Sequence, residues 1–376
     1  MSVGSPNLLD TPTYGIELEK VFSGIDGEPH LVGDSYFETI RNLNLARGQS
    51  ASLKSAGDRL VGVGTEHGVE SLDISFGLGE SATGPIEHKI GGLNMLNQVV
   101  ITQLRDVLEA LEPDGATVIN MANHPLTMID NQTYDRHVAP KPVYEYMRDI
   151  RGWDHKQGIN AKAQNSPSVG VSAERAVDAL NITLGLGAGL VAMYANSPFD
   201  QGELAGVKES RLHIWDDVFK NSTYTGDRRL HRMPDVPFAN FREYFQWMFA
   251  SDTAMYFVVV DDAGLPPKSE KDGNVHFIQI DEQPTLLEFF DKESWSATTF
   301  DKTRKLKVVP EIAHLVMHQF AHFAGARIRF SIEEGLSVGE FNAAMAGSNK
   351  EVDELFARHG NGIYIESQAL TVLINN

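Results

Sequence analysis

The sequence has no cysteine among its 376 residues. Disulfides, thiolate–zinc sites and a cysteine nucleophile are therefore excluded. Positive charge is also scarce: 32 Lys and Arg stand against 51 Asp and Glu, a formal net charge of −19. Binders of phosphate backbones and anionic membranes carry basic patches, so this balance argues against nucleic-acid and membrane partners. An acidic chain that takes a nucleotide needs divalent cations and a few placed Arg or Lys to offset the repulsion. Long apolar runs are few. The longest, Ala176 to Tyr194, contains Asp178, Asn181, Thr183 and three glycines, and it reads as a buried core helix rather than a membrane span. The first fifteen residues show neither a basic nor an apolar leader region, so the expected location is the cytoplasm. There is no phosphate loop, because Gly185, Gly187 and Gly189 lack a following Lys-Ser/Thr. No serine sits in a nucleophile-elbow context.

What is present reads as one α+β domain over residues 1–376 with a largely antiparallel sheet. Residues 14–23 alternate apolar and charged side chains, which is strand periodicity. Residues 71–79 read as a second strand ending at Glu80. Helical spacing covers 91–112 and is broken by Pro113-Asp114-Gly115. A strand follows at 116–121, leading into Asn123-His124-Pro125. Residues 164–171 read as a strand with Gln164, Ser166, Ser168 and Gly170 on one face, followed by a helix from Ser172 to about Ala195. Further expectations are an aromatic helix at 239–252, strands at 254–260 and 275–280, a solvated loop at 266–273, a helix at 309–325 and a last strand at 362–367.

The acids carry the chemistry. Glu17 and Glu19, two apart in a strand, project from one face. If that face is buried, two like charges cannot both stay ionised without a cation; if it is open, it is an ordinary acidic sheet edge. Asp73 and Glu80 form a second pair near a strand, and Glu366 lies inside an apolar strand. Hard carboxylate oxygens suit Mg²⁺ or Mn²⁺ rather than zinc. His314, His318 and His322 recur every four residues and line one helix face. They read as either a zinc site or a packed stripe bonded to the backbone, and they lack the glutamate of the H-E-x-x-H pattern.

Ala195-Asn196-Ser197-Pro198-Phe199, followed by Arg211-Leu212-His213-Ile214-Trp215, resembles a signature of glutamate–cysteine ligases. Gly15-Ile16-Glu17-Leu18-Glu19 resembles their opening strand, Glu80-Ser81-Ala82-Thr83-Gly84-Pro85 their acidic turn, and Tyr364-Ile365-Glu366 their closing strand. The motifs fall in family order. The resemblance implies a glutamine-synthetase-like fold: a curved sheet forming an open funnel with helices on its outer face. It implies ATP and Mg²⁺ (or Mn²⁺) as cofactors, with Glu17, Glu19, Asp73, Glu80 and Glu366 as metal ligands. Arg211 would meet the substrate carboxylate as a bidentate fork, with Glu19 and Glu80 beside it at the catalytic centre. Ser210, Ser166, Ser168 and His124 would contact substrate. The expected reaction joins the γ-carboxylate of glutamate to an amine, cysteine in the commonest case, through an acyl phosphate. Loops 199–210 and 221–236 are the expected covers.

Two departures bear on that expectation. Ser166 and Ser168, or Gln164 and Ser166 in a shifted register, stand where relatives carry Gln, His or Asn. Gln368 stands where relatives carry an arginine that meets phosphate, so Arg327 and Arg329, a same-face pair, are the expected substitutes. A member that binds a glutamate-like ligand or a partner without ligation, and a zinc hydrolase using the histidine stripe, are the alternative readings. The oligomeric state is not legible.

Overall fold

The computed structural model describes residues 12–160, 163–250, 258–266, 276–319, 325–368 and 370–371. Its organising element is β1 (Thr13–Gly24), the strand expected at 14–23. Leu18, Lys20 and Phe22 point to one side and are buried; Glu17, Glu19 and Val21 point to the other, as strand alternation requires.

One large sheet forms around β1. Its strands are β2 (Ala51–Ala56), β3 (Arg59–Thr65), β4 (Gly68–Leu72), β5 (Leu78–Thr83), β6 (Ile86–Glu87), β7 (Ala116–Ile119), β8 (Gln164–Gly170), β15 (Ala326–Ile332), β16 (Gly360–Ser367) and β17 (Leu370–Thr371). The main order is β15-β16-β8-β1-β5-β4-β3-β2, with β6 and β7 also on β1 and β17 also on β8. The pairings are antiparallel. A hairpin, β9 (Phe199–Asp200) with β10 (Glu203–Leu204), and a separate four-stranded antiparallel sheet, β11 (Val258–Val260), β12 (His276–Ile280), β13 (Trp295–Thr299) and β14 (Lys305–Val308), complete the strands among the described residues.

Helices α1 (Asp34–Ala46), α2 (Gly92–Leu111) and α6 (Ala173–Tyr194) pack on this sheet. The main core joins Phe22, Ile328, Ile363 and Ile365 from the strands to Tyr36, Phe37, Val107, Leu180 and Leu184 from these helices. Each of those strand residues alternates with a polar residue facing the other way, so the helices cover one face and leave the acids on the other. The remaining helices are α3 (Asn131–His137), α4 (Pro142–Glu145), α5 (His155–Asn160), α7 (Arg211–Phe219), α8 (Phe241–Phe249), α9 (Leu286–Phe289), α10 (Ile312–His318), α11 (Val338–Ala346) and α12 (Asn349–His359). Ser337 with Glu340 and Ser348 with Glu351 form capping boxes that fix the starts of α11 and α12.

Two expectations need correction. The strand read at 71–79 is two strands: β4 ends at Leu72, the chain turns, and Glu80 lies within β5. The turn is buried, at Ile74, Ser75 and Phe76, and its apolar residues Leu72, Ile74, Phe76 and Leu78 keep the alternation of a strand across it. Helix α6 is not buried all round. Ala176, Val177, Leu180, Leu184 and Gly187 pack inward, while Ile182, Leu186 and Met193 are exposed. Beyond Thr183 its Gly-, Ala- and Leu-rich composition offers no polar face to mark the outside. Residues 251–252, 254–257, 267–273, 275 and 320–324, the last including His322, belong to expectations that lie outside the described residues.

Candidate active site

Strand register assembles the site. Antiparallel partners face the same side of a sheet about 4.5–5.5 Å apart. Glu19 pairs with Glu80, and Glu17 with Ala82, across β1 and β5. Glu17 also pairs with Ser166, and Gly15 with Ser168, across β1 and β8. Glu366 pairs with Ser168 across β16 and β8, and with Arg327 across β16 and β15. Four acids separated by up to 349 positions thereby share one face with Gln164, Ser166, Ser168, Arg327 and Arg329. Thr83 of β5 holds the register locally, its Oγ1 accepting from the Ile16 N–H at 3.0 Å.

Their environments differ. Burial, then the charges of Glu366 and Glu80, push the Glu17 carboxyl up to about 8, against the opposing pull of Arg327 and Arg329. Burial also works against the charge on Glu366, but Arg327 and Arg329 more than offset it and hold its carboxyl below the ordinary range. Arg327 bonds one Glu366 oxygen and Arg329 Nη1 reaches the other at 2.9 Å. The expected pair of arginines therefore does sit among the acids. Glu19 is buried, and its Oε2 accepts from the Gln164 N–H at 3.1 Å.

The segment 195–211 delivers the arginine. Asn196 donates to the Asn120 carbonyl, tying the end of α6 to the chain beyond β7. Asn123 Nδ2 donates to the Phe199 carbonyl at 2.6 Å and to Ser210 Oγ at 3.2 Å. Ser210 Oγ in turn bonds Ser197 Oγ at 3.0 Å and the Phe199 carbonyl at 2.9 Å. So held, α7 starts with Arg211 pointing at the sheet. Arg211 is buried, not on the surface; its Nη1 donates to Gln164 Oε1 at 2.9 Å and its Nη2 reaches the Gln368 carbonyl at 3.4 Å. Burial lowers the guanidinium below its ordinary range, opposed by Glu209 and Glu19.

Several expected site residues lie elsewhere or are otherwise engaged. Ser210 is spent on loop bonds, so it shapes the arginine's support instead of offering a free hydroxyl. His124 closes the far end of β1: Nε2 bonds Ser23 Oγ at 3.3 Å, Nδ1 accepts from Leu126 N–H, and none of the acids lines its small cavity. Burial, then His137, lowers its imidazole, which favours the neutral form. Asp73 occupies the turn between β4 and β5, outside the registers that gather the other acids. Gln368 bonds Glu366 and Gln164 rather than presenting itself to a ligand. Among the described residues, no three carboxylate or imidazole groups form a ready-made cation cage. The physical reason is visible at Glu366, whose oxygens are taken by Arg327, Arg329 and Gln368. Loop 221–236 is no free cover either, because the buried Arg151–Asp227 pair and a 2.7 Å bond from Trp153 Nε1 to Asp227 pin it. His314 and His318 are buried with Nδ1 bonded to the carbonyls of Glu311 and His314. Burial drops His314 to about 4. These two behave as a packed stripe.

The model of glutamate–cysteine ligase family 2 matches residues 75–333, well over half of the chain. The chain belongs to that family. No curated protein matches it. The family match contains Glu80, β8, Arg211, Arg327 and Arg329 but stops short of β1 and β16. Both outlying strands pair directly with strands inside it: β1 with β5 and β8, and β16 with β8 and β15. The acids outside the match are thus locked onto the family's own sheet. Family membership makes the chain a ligase-type enzyme with small-molecule substrates. Gln164 is the residue that the motif reading underused; its place on the same strand face as Ser166 and Ser168 was the available signal.

Proposed function

We propose that this family member uses ATP to activate the γ-carboxylate of glutamate, or of a close relative, and passes the acyl group to an amine, with cysteine the expected acceptor. The carrying observation is the register that sets Glu17, Glu19, Glu80 and Glu366 on one face opposite Arg211, with Glu17 lifted to about 8 by burial and then by the charges of Glu366 and Glu80. A face with that surplus of hard oxygens fits a divalent cation. Glu17, Glu19 and Glu80 are the residues to hold it; Glu366 is partnered by arginine. A bound Mg²⁺ would supply charge neutralisation at the phosphates.

The chain's own residues have separable tasks. The N–H groups of Arg211 that face none of Gln164, Gln368 and Glu209 suit a substrate carboxylate. Arg329, less buried than Arg327, supplies positive charge where Gln368 does not. Beside Glu17 opens a cavity of about 420 Å³, lined by Tyr14, Gly15, Ser168, Val171, Ile363 and Tyr364 among others. That is within the range of small-molecule sites, and a mainly apolar cavity next to the acids suits a nucleotide base. A carboxylate oxygen would attack the γ-phosphorus, releasing ADP; the amine nitrogen would then attack the acyl carbon, releasing phosphate and a proton.

A second reading has one observation in its favour. Arg211, Glu366, Ser166 and Gln368 are all buried, so the inner half of the site is closed, as it would be in a member that binds without turnover. The test is phosphate release with ATP, Mg²⁺ and glutamate against a panel of amino acids and amines, with products weighed by mass spectrometry. ADP, phosphate and a γ-glutamyl amide are expected. ATP binding with no ADP formed across the panel would establish the second reading instead.

A further inference from the structure

Arg211 is joined to the Glu366 cluster through two side-chain amides in series. Arg211 Nη1 donates to Gln164 Oε1 at 2.9 Å. Gln164 Nε2 donates to Gln368 Oε1 at 2.6 Å. Gln368 Nε2 donates to Glu366 Oε1, and Glu366 is clamped by Arg327 and Arg329. Both glutamines are buried.

The chemistry gives this chain a direction. A guanidinium only donates and an ionised carboxylate only accepts. Arg211 therefore requires the oxygen of Gln164, which turns the Gln164 nitrogen toward Gln368. Glu366 requires the nitrogen of Gln368, which turns the Gln368 oxygen toward Gln164. Both demands are met by a single orientation of each amide. Flipping either one sets donor against donor or acceptor against acceptor, and buried groups mispaired in this way are costly.

We propose that Gln164 and Gln368 are positioning residues: a one-way amide relay that fixes the Arg211 fork against the Glu366–Arg327–Arg329 cluster, and so fixes where the carboxylate of the acid substrate lies. The proposal rests on the ligase reading above. It gives Gln368 a role other than phosphate contact. The bond from Arg211 Nη2 at 3.4 Å goes to the Gln368 backbone carbonyl, which a side-chain substitution keeps, so the influence of the Gln368 amide on the acid substrate passes through Gln164.

The experiment is steady-state kinetics on the full chain with ATP, Mg²⁺, L-glutamate and the best amine. Gln368→Met should raise KM for glutamate about tenfold and leave KM for ATP within about twofold, a split that general loosening of the fold would not produce. Gln164→Glu keeps an acceptor for Arg211 but removes the donor to Gln368, so the relay is cut at that link. In that background Gln368→Met should no longer move KM for glutamate. An unchanged KM for glutamate in Gln368→Met overturns the relay. So does a parallel rise in both KM values, or an equal effect of Gln368→Met in both backgrounds. Should Gln368→Met fail to fold, Gln368→Glu, which retains the acceptor for Gln164 but not the donor to Glu366, is read by the same split. A wild-type chain that turns over no glutamate refutes the ligase reading and the positioning role with it, whereas an active wild type without the split refutes the relay alone.

Discussion

The two faces of the large sheet treat buried charge in opposite ways. On the helix-covered face, Glu70 of β4 is buried, yet Lys20 Nζ lies 3.0 Å from one oxygen, Tyr36 donates to the other at 2.7 Å, and Ser81 adds a third bond. On the acid face, Glu17, three residues before Lys20 in the same strand, is pushed up to about 8 by burial first and then by the charges of Glu366 and Glu80, with Arg327 and Arg329 pulling the other way. A carboxylate whose bonds are all satisfied by its own chain is a structural element. A carboxyl that burial and neighbouring acids keep protonated is one that a bound cation would ionise. The same strand thus carries a closed account on one side and an open one on the other.

Mutation distinguishes the faces most sharply through activity. Glu80→Gln should cut ADP release at least about a hundredfold, as loss of a metal contact does, while leaving the thermal midpoint nearly unchanged. Wild-type turnover in that variant would remove Glu80 from the proposed ligand set. The helix-covered face should show the reverse. Lys20→Met strands Glu70 in the core and should cost about 3–5 kcal/mol in denaturant unfolding. The double variant Lys20→Met, Glu70→Leu should recover much of that loss, since no unpaired charge remains; a double variant as unstable as the single one would contradict the comparison.

A smaller effect is expected from pH. Between about 4.5 and about 8 the folded Glu17 holds its proton while the unfolded chain has released it. The folded state then binds more protons, so without divalent cation stability falls as pH rises through this window. Discounted for partial exposure, the loss is about 1–2 kcal/mol. Added Mg²⁺ and Glu17→Gln should each flatten the slope in thermal-shift measurements across pH 5–8; a slope unaffected by both would show that Glu17 is not the open charge. Smallest is Thr83→Val, which deletes the bond to Ile16 N–H and should cost about 1 kcal/mol, read by chemical denaturation.

Much of this was legible from the chain. Alternation in 14–23 put Glu17 and Glu19 on one face, Pro113 and Gly115 ended α2, and Arg327 and Arg329 were recognisable as a same-face pair. Other features were hidden by burial. Ile74-Ser75-Phe76 reads as strand because this turn is buried, and α6 concealed the exposed face of its second half behind an unbroken apolar run. Ser210 and His124 looked like site residues because their motifs are, but their side chains hold the loops that shape the site.

The sequence by itself determined the strands at 14–23 and 164–171, the helices at 91–112 and from Ser172, the face each side chain of those strands takes, and the set of acids and arginines available. Only the tertiary structure decided that Glu19 lies opposite Glu80, that Glu366 pairs with Arg327, and that Lys20, not another cation, neutralises Glu70 fifty residues away. The reason is that side-chain alternation is a local property of the backbone. Strand order and register are fixed by which apolar faces bury together across the whole chain, and no neighbouring residue records that choice.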